Sequence, residues 1–433
     1  MAVSPTTRRR APAAAGPVEA YRRAVNPRKV EVLESLGWLN SFREARGSWL
    51  TDAQGRRYLD MVAGFGAIGL GHRHPRLMRA LREALGEGGP FTVPVGVPAG
   101  QGDLAARLCE LAGGGLRKVF FGNSGAEGIE LALKLAMAAT GRSHFITTER
   151  GYHGLTLGAM SVMGHDTWLE QLPAPAYPAQ RVAVGDVDAV ASAMQRAAIA
   201  AVVIEVVQGL GGGHAWETSE LRMLAALCRK RGALLIVDEV LTGVGRTGSW
   251  FAFQEAGIEP SVVVTSKGLT GGAVPLCAVM MSDEAYEGLF SSPARAMIHS
   301  STFEGNLLAM TSGLTCLRVI EEEDVIGSVG ASGQRLRGGL EALLREPLGV
   351  RSVRGRGLLI AVEIEGLDDP DDAYGGVVCC QELYKRGVIA YTAGHAPSCV
   401  KLTPPLTISG AEIDTFLDRL HSALTEVQAM RGS

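Results

Sequence analysis

No stretch of this 433-residue chain approaches the ~18 consecutive apolar residues that a membrane-spanning helix needs. A dominant charge is missing too. The 42 Lys and Arg stand against 45 Asp and Glu, a net −3, which leaves no electrostatic footprint for nucleic acid or an anionic membrane surface. Arginine is scattered, apart from the triplet Arg8–Arg10 in the Pro/Ala-rich opening MAVSPTTRRRAPAAAGP. No apolar run follows the triplet, so no secretory or twin-arginine signal is expected, and residues 1–25 read as a disordered tail. The seven cysteines are odd in number and lack metal spacing; Cys379 and Cys380 fall within an element and behave as small apolar residues. A cytoplasmic, thiol-reduced protein without a structural metal is expected. His72 and His74 lack a third ligand placed by sequence, and they read as structural.

The length suits two domains, and 46% hydrophobic residues can fill both cores. The most informative stretch is Gly232–Gly272, GALLIVDEVLTGVGRTGSWFAFQEAGIEPSVVVTSKGLTGG. Leu234–Val237 and Val262–Val264 are apolar, rich in β-branched residues and too short for helices, so they predict buried parallel strands. The first runs into Asp238 and the second into Lys267. Ligands of open α/β sheets collect at the carboxyl ends of strands, so both charges would face one crevice. Taken singly, an Asp after a strand is a helix cap and a Lys is solvated. Together they point to the grip on pyridoxal phosphate: a lysine Schiff base and a carboxylate at the pyridinium nitrogen.

Three more strand-then-glycine units share this pattern. In KVFFGNSGAEGIELALKLAMAATG, Ser124 and Glu127 have capping-box spacing, which predicts a helix whose free N–H groups form an anion site. A second strand ends near Gly151-Tyr152-His153-Gly154, placing an aromatic where it can stack on a flat ring. The third, AAVVIEVVQGLGGG, carries Glu205 and Gln208 at its end. Upstream, Phe42–Asp60 reads as two strand-like pieces flanking a turn at Asp52–Gly55.

The order DEVxTGxGRTG, then SKGLTGG with its Lys twenty-nine positions after Asp238, resembles the fold-type I, class III (ω-) aminotransferases over nearly the whole chain. That resemblance implies an α/β fold: a large domain (71–315) with a mostly parallel seven-stranded sheet, and a smaller α+β domain (316–433) to which 26–70 contribute. It implies pyridoxal 5'-phosphate held by Lys267 and Asp238, with Ser124, Gly125 and Ala126 on the phosphate. Tyr152, His153, Glu205 and Gln208 would complete the cofactor site. In SSTFEGN, Thr302 would reach the phosphate of a neighbouring subunit's cofactor, which implies a homodimer with shared active sites.

Two positions depart from the family pattern. Leu241 stands where many members have a Gln that reaches the ring hydroxyl, so Gln208 is expected to make that bond or none does. In VKLTPPLTI, Lys401 stands where Arg often clamps a substrate carboxylate, and it lacks Arg's planar fork. Glu205 and Lys401 are the expected substrate-binding residues. Diaminobutyrate and ornithine aminotransferase-like members resemble the chain most, implying transfer of a terminal amino group, first from 2,4-diaminobutyrate, to 2-oxoglutarate. A decarboxylase, racemase or aminomutase on the same fold is the alternative, and a non-catalytic relative a lesser one.

Overall fold

The computed structural model describes residues 16–170, 172, 174–367 and 374–431. A seven-stranded sheet forms its centre: β4 (Leu116–Gly122), β5 (His144–Thr148), β6 (Ala179–Val182), β7 (Ile199–Ile204), β8 (Leu234–Asp238), β9 (Val262–Thr265) and β10 (Cys277–Ser282), preceded in the chain by β1 (Phe42–Arg46), β2 (Trp49–Asp52) and β3 (Arg57–Asp60). The central order is β4-β10-β9-β8-β7-β5-β6. β10 runs antiparallel to both its neighbours, while β5 to β9 pair in parallel. Every residue of β7, β8 and β9 is buried, as a sheet covered on both faces requires.

The helix Gly125–Thr140 covers one face with Ile129, Ala132, Leu133 and Ala136. It lies so close to the sheet that a Cβ on Gly128 would sit 2.5 Å from Val264 Cγ1 and 3.3 Å from Val279 Cγ2. Only hydrogen fits there, and this contact fixes the helix N-terminus over the ends of the strands.

Two smaller sheets flank the centre. β1, β2 and β3 form a meander closed by β13 (Val388–Ile389), which pairs in parallel with β3; β11 (Val350–Arg356), β12 (Leu359–Ile364), β14 (Tyr391–Ala393) and β15 (Ala396–Leu402) form the other, in the order β11-β12-β15-β14. The turn at Asp52–Gly55 is present, tied by Asp52 Oδ1 accepting from the N–H groups of Gln54 and Arg56. The piece before it differs from the expected single strand. It folds back at Gly47, whose positive φ of 57° permits the tight turn, into β1 and β2.

Residues 1–15 of the expected tail lie outside the described residues. Pro17–Ala24, however, is a helix rather than disordered chain. Proline at its first position, Glu19 in the first turn and basic residues in the last suit a helix. Arg22 pairs with Glu34 of the next helix, Pro27–Ser35, at 2.5 Å. Cys379 and Cys380 are buried in the helix Gly375–Lys385, as apolar residues. Among the described residues, no helix is long and apolar enough to cross a membrane.

Candidate active site

The carboxyl ends of β8 and β9 open on a cavity of about 470 Å³. Its lining includes Ser124, Gly125, Ala126, Tyr152, His153, Glu205, Asp238, Leu241 and Lys267. Most of the residues singled out from sequence therefore converge on one space.

One wall is the start of the Gly125–Thr140 helix. Ser124 Oγ accepts from Glu127 N–H at 3.2 Å, and the Glu127 carboxylate accepts from Ser124 N–H at 3.1 Å, the reciprocal cap its spacing predicts. The N–H groups of Gly125 and Ala126 have no acceptor within the helix and sit at its positive end. Val240 packs so tightly against Gly125 that a Cβ there would lie 2.8 Å from its Cγ2. Backbone is thus brought to the cavity where a side chain would block it.

Asp238 ends β8, buried. Its Oδ1 accepts from Val240 N–H at 3.0 Å, and its Oδ2 lies 2.7 Å from His153 Nδ1. On the other side of the imidazole, Nε2 is 3.4 Å from Thr147 Oγ1, which itself donates to Val162 O at 2.7 Å. Burial works against the imidazolium, but the hydrogen bond and charge of Asp238, with Glu205 adding to them, raise the His153 pKa above its ordinary value.

Lys267 follows β9 with a strained φ of 30°, a conformation costing about 1 kcal/mol or more for a side chain with a Cβ. Among the described residues its amine forms no hydrogen bond or ion pair. Burial lowers its pKa, opposed by the charges of Asp238 and Glu205. A buried amine with no partner beside an oriented carboxylate is an arrangement that stability alone does not favour.

Glu205 is buried too, accepting from Tyr152 N–H at 3.0 Å and Gly209 N–H at 3.1 Å, and burial raises its pKa. Gln208 is near in sequence but not at the cavity. Its Nε2 donates to Thr148 Oγ1 at 3.1 Å and Glu149 O at 2.7 Å at the end of β5, while its buried Oε1 has no partner among the described residues. Leu241 occupies that side of the cavity instead. It is wedged between two glycines: a Cβ on Gly66 or Gly209 would lie 2.6 or 2.3 Å from its methyl groups.

Lys401, on β15, is buried, with 2% of its surface exposed. Its Nζ lies 5.6 Å from the centroid of the Phe65 ring. Burial lowers its pKa to about 8, with Lys267 pushing the same way and Glu205 opposing. Thr302 is exposed in a turn and does not line the cavity of its own chain; Asn123 Nδ2 donates to Ser301 Oγ at 3.0 Å, tying that turn to the helix cap.

Sequence reasoning passed over Arg246, the Arg of GRTG. It is buried, has no carboxylate partner among the described residues, and donates to the carbonyls of Pro404, Leu358 and Gly66, so it fastens the Gly66 segment over Leu241. Burial lowers its pKa to about 9. The motif contained the signal, but the carbonyls it binds are 112 to 180 residues away.

An unpartnered buried amine, a carboxylate aimed by a histidine, an apolar ring-sized gap and a bare helix N-terminus form the donor set that pyridoxal phosphate requires, so the residues fit that cofactor. Fold and site together define a fold-type I, pyridoxal-phosphate-dependent transaminase. A family model, aminotransferase class-III, matches residues 36–424, and the chain belongs to that family. It is 36% identical to a diaminobutyrate–2-oxoglutarate aminotransferase of Rhizobium meliloti (strain 1021), over 88% of this chain and 87% of that one. It is 32% identical to aminotransferase PigE of Serratia sp. (strain ATCC 39006), over 96% of this chain but 54% of PigE, so it spans about half the length of that relative. Among solved structures, an amine transaminase from an uncultivated Pseudomonas species in its PLP-bound form superposes with a TM-score of 0.82 at 26% identity, covering 89% of this chain and 95% of that one.

Proposed function

We propose that this chain moves a terminal amino group from a diamino acid or related amine to 2-oxoglutarate, or the reverse onto an aldehyde, with 2,4-diaminobutyrate as the first donor. The observation that carries this reading is Lys401, a buried lysine whose Nζ lies 5.6 Å from the Phe65 ring centroid and has no carboxylate partner among the described residues, so its charge is left for a ligand. A substrate carboxylate held at Lys401 would leave the far end of the molecule, not its α-carbon, at Lys267. The name of the Rhizobium relative supports the same donor.

When bound, pyridoxal phosphate supplies a carbonyl that takes up the amine and a ring that accepts the electron pair released at the substrate carbon. The chain's residues do the rest. Lys267, its charge disfavoured by burial, gives and takes the proton at the reacting carbon. Asp238 holds a proton at the ring nitrogen, and His153 keeps its carboxylate aimed. Ser124, Gly125 and Ala126 bind the phosphate, and Tyr152 covers the ring. Thr302 of a second copy completes the phosphate site, so the working unit is a homodimer. Glu205 acts on the substrate side with Lys401, favouring the lysine's charge through space while its own carboxylate is held by the Tyr152 and Gly209 N–H groups. Gln208 is anchored beneath the site through its amide nitrogen with its amide oxygen left as an acceptor, and Leu241 leaves the ring hydroxyl without a partner from that position.

Isotopic labelling tests this reading: with 2,4-diaminobutyrate labelled separately at each nitrogen, glutamate should acquire the terminal label only. Transfer of the α-nitrogen would exclude it.

A further inference from the structure

Trp168, in the short turn Asp166–Trp168, donates its indole Nε1–H to His395 Nε2 at 2.6 Å. His395 stands in the turn between β14 and β15, so this bond joins the C-terminal sheet to the central layer. The other ring nitrogen, Nδ1, lies 3.0 Å from the carbonyl of Arg150. A carbonyl only accepts, so Nδ1 carries the hydrogen and Nε2 is the bare acceptor the indole needs. The backbone N–H of His395 donates to Leu210 O at 3.0 Å. One residue is thereby fastened to three segments of the central layer.

Those segments bear on the cavity. Tyr152 and Leu210 both line it. The Tyr152 ring meets Trp168 edge-on, with centroids 5.9 Å apart and planes at 73°, and lies 6.3 Å from the His395 ring. Trp168 and His395 do not line the cavity themselves; they stand behind Tyr152. Edge-to-face contacts fix a ring's tilt as well as its place.

We propose that His395 is a positioning residue: by holding Trp168 it sets the tilt of Tyr152, and the β14–β15 hairpin thereby latches across the active site. The proposal rests on the reading of Tyr152 as the side chain that covers the cofactor ring.

The latch works only with a neutral imidazole, because a second ring hydrogen on Nε2 would face the indole N–H. The surroundings keep it neutral. His165 stacks on His395 at 5.1 Å, and Arg181 and His153 lie near; Arg150 directs its guanidinium to His214. Of the nearby carboxylates, Asp166 is engaged by Arg181 at 2.6 Å, and Glu205 accepts from the Tyr152 N–H. Burial lowers the His395 pKa; the bond to Arg150 O opposes this, and His165, Arg181 and His153 add to the lowering. The latch is closed at and above the ordinary histidine value, near 6.5, and opens as pH falls below it.

The test uses the holoenzyme and four variants: Trp168→Phe, which keeps a ring but loses the N–H, His395→Ala, the two combined, and His395→Gln, which offers an acceptor and a donor but cannot titrate. The readouts are KM and kcat for the amine donor and the visible circular dichroism of the bound cofactor. Trp168→Phe and His395→Ala should each raise KM about tenfold and weaken the dichroic band with kcat little changed, and the double variant should be no worse than either alone. His395→Gln should keep KM near wild type and abolish its rise on acidification. Effects that multiply in the double variant, or an unchanged band and KM in His395→Ala, would overturn the latch. Tyr152→Ala separates the two readings: loss of the band there alongside multiplying effects condemns the latch alone, whereas no change there removes the role of Tyr152 and the latch with it.

Discussion

His153 Nδ1 and Asp238 Oδ2 lie 2.7 Å apart, both shut off from solvent, and this pair sets the charge of the cavity floor. Burial works against the imidazolium, and the hydrogen bond and charge of Asp238 outweigh it, raising the pKa of the imidazole.

Replacing Asp238 by Asn should therefore lower kcat on the order of 10²-fold or more, the scale of losing one aimed charge in a closed site. Steady-state kinetics with excess cofactor would check it; activity within a few-fold of wild type would deny Asp238 its role.

The same pair predicts a pH dependence of stability. The folded pKa of His153 is raised, so its contribution is complete below the unfolded value near 6.5 and is lost as pH rises through the folded value. The difference in urea midpoint between wild type and His153→Gln should be largest at about pH 6 and shrink at higher pH. A difference that grows with pH would contradict the pairing.

Lys401 should show a trade between stability and function. Its pKa falls to about 8, so burying its charge costs stability at neutral pH, and that cost is relieved as pH rises from about 8 towards the unfolded value. Lys401→Met should stabilise the fold at pH 7 by on the order of 1–3 kcal/mol. It should also raise KM for carboxylate substrates about tenfold, the loss of one charged hydrogen bond. Thermal denaturation and kinetics on the same variant read both effects.

Gly128→Ala opposes two effects of similar size. Alanine in a helix interior gains about 1 kcal/mol over glycine. The new Cβ would meet Val264 at 2.5 Å and Val279 at 3.3 Å, and β-branched side chains are stiff, so overpacking of about 1–3 kcal/mol should win. Urea titration should find the variant less stable by up to about 2 kcal/mol, since the larger clash term is only partly offset.

The parts of this site legible in sequence are those written locally. The β-branched runs of β8 and β9, the Ser124–Glu127 cap and the placement of Asp238 and Lys267 at strand ends depend on neighbours a few residues away. Long-range contacts were not legible. The sequence placed Gln208 at the right strand end but could not show its amide turned towards Thr148. Arg246, Trp168 and His395 act through partners more than a hundred residues distant, and no period or motif points to those partners. The fold at Gly47 was missed for a different reason: a two-residue turn between short strands leaves the alternation pattern almost unbroken.

The measurement that bears most directly on the account is a half-reaction spectrum. The holoenzyme is mixed with 2,4-diaminobutyrate in the absence of any oxo acid, and the visible cofactor band is followed. The account predicts that the band bleaches, that it returns on adding 2-oxoglutarate, and that Lys267→Ala does neither. A cofactor band that no terminal amine alters, with the substrate instead losing carbon dioxide or changing its stereochemistry, would contradict it.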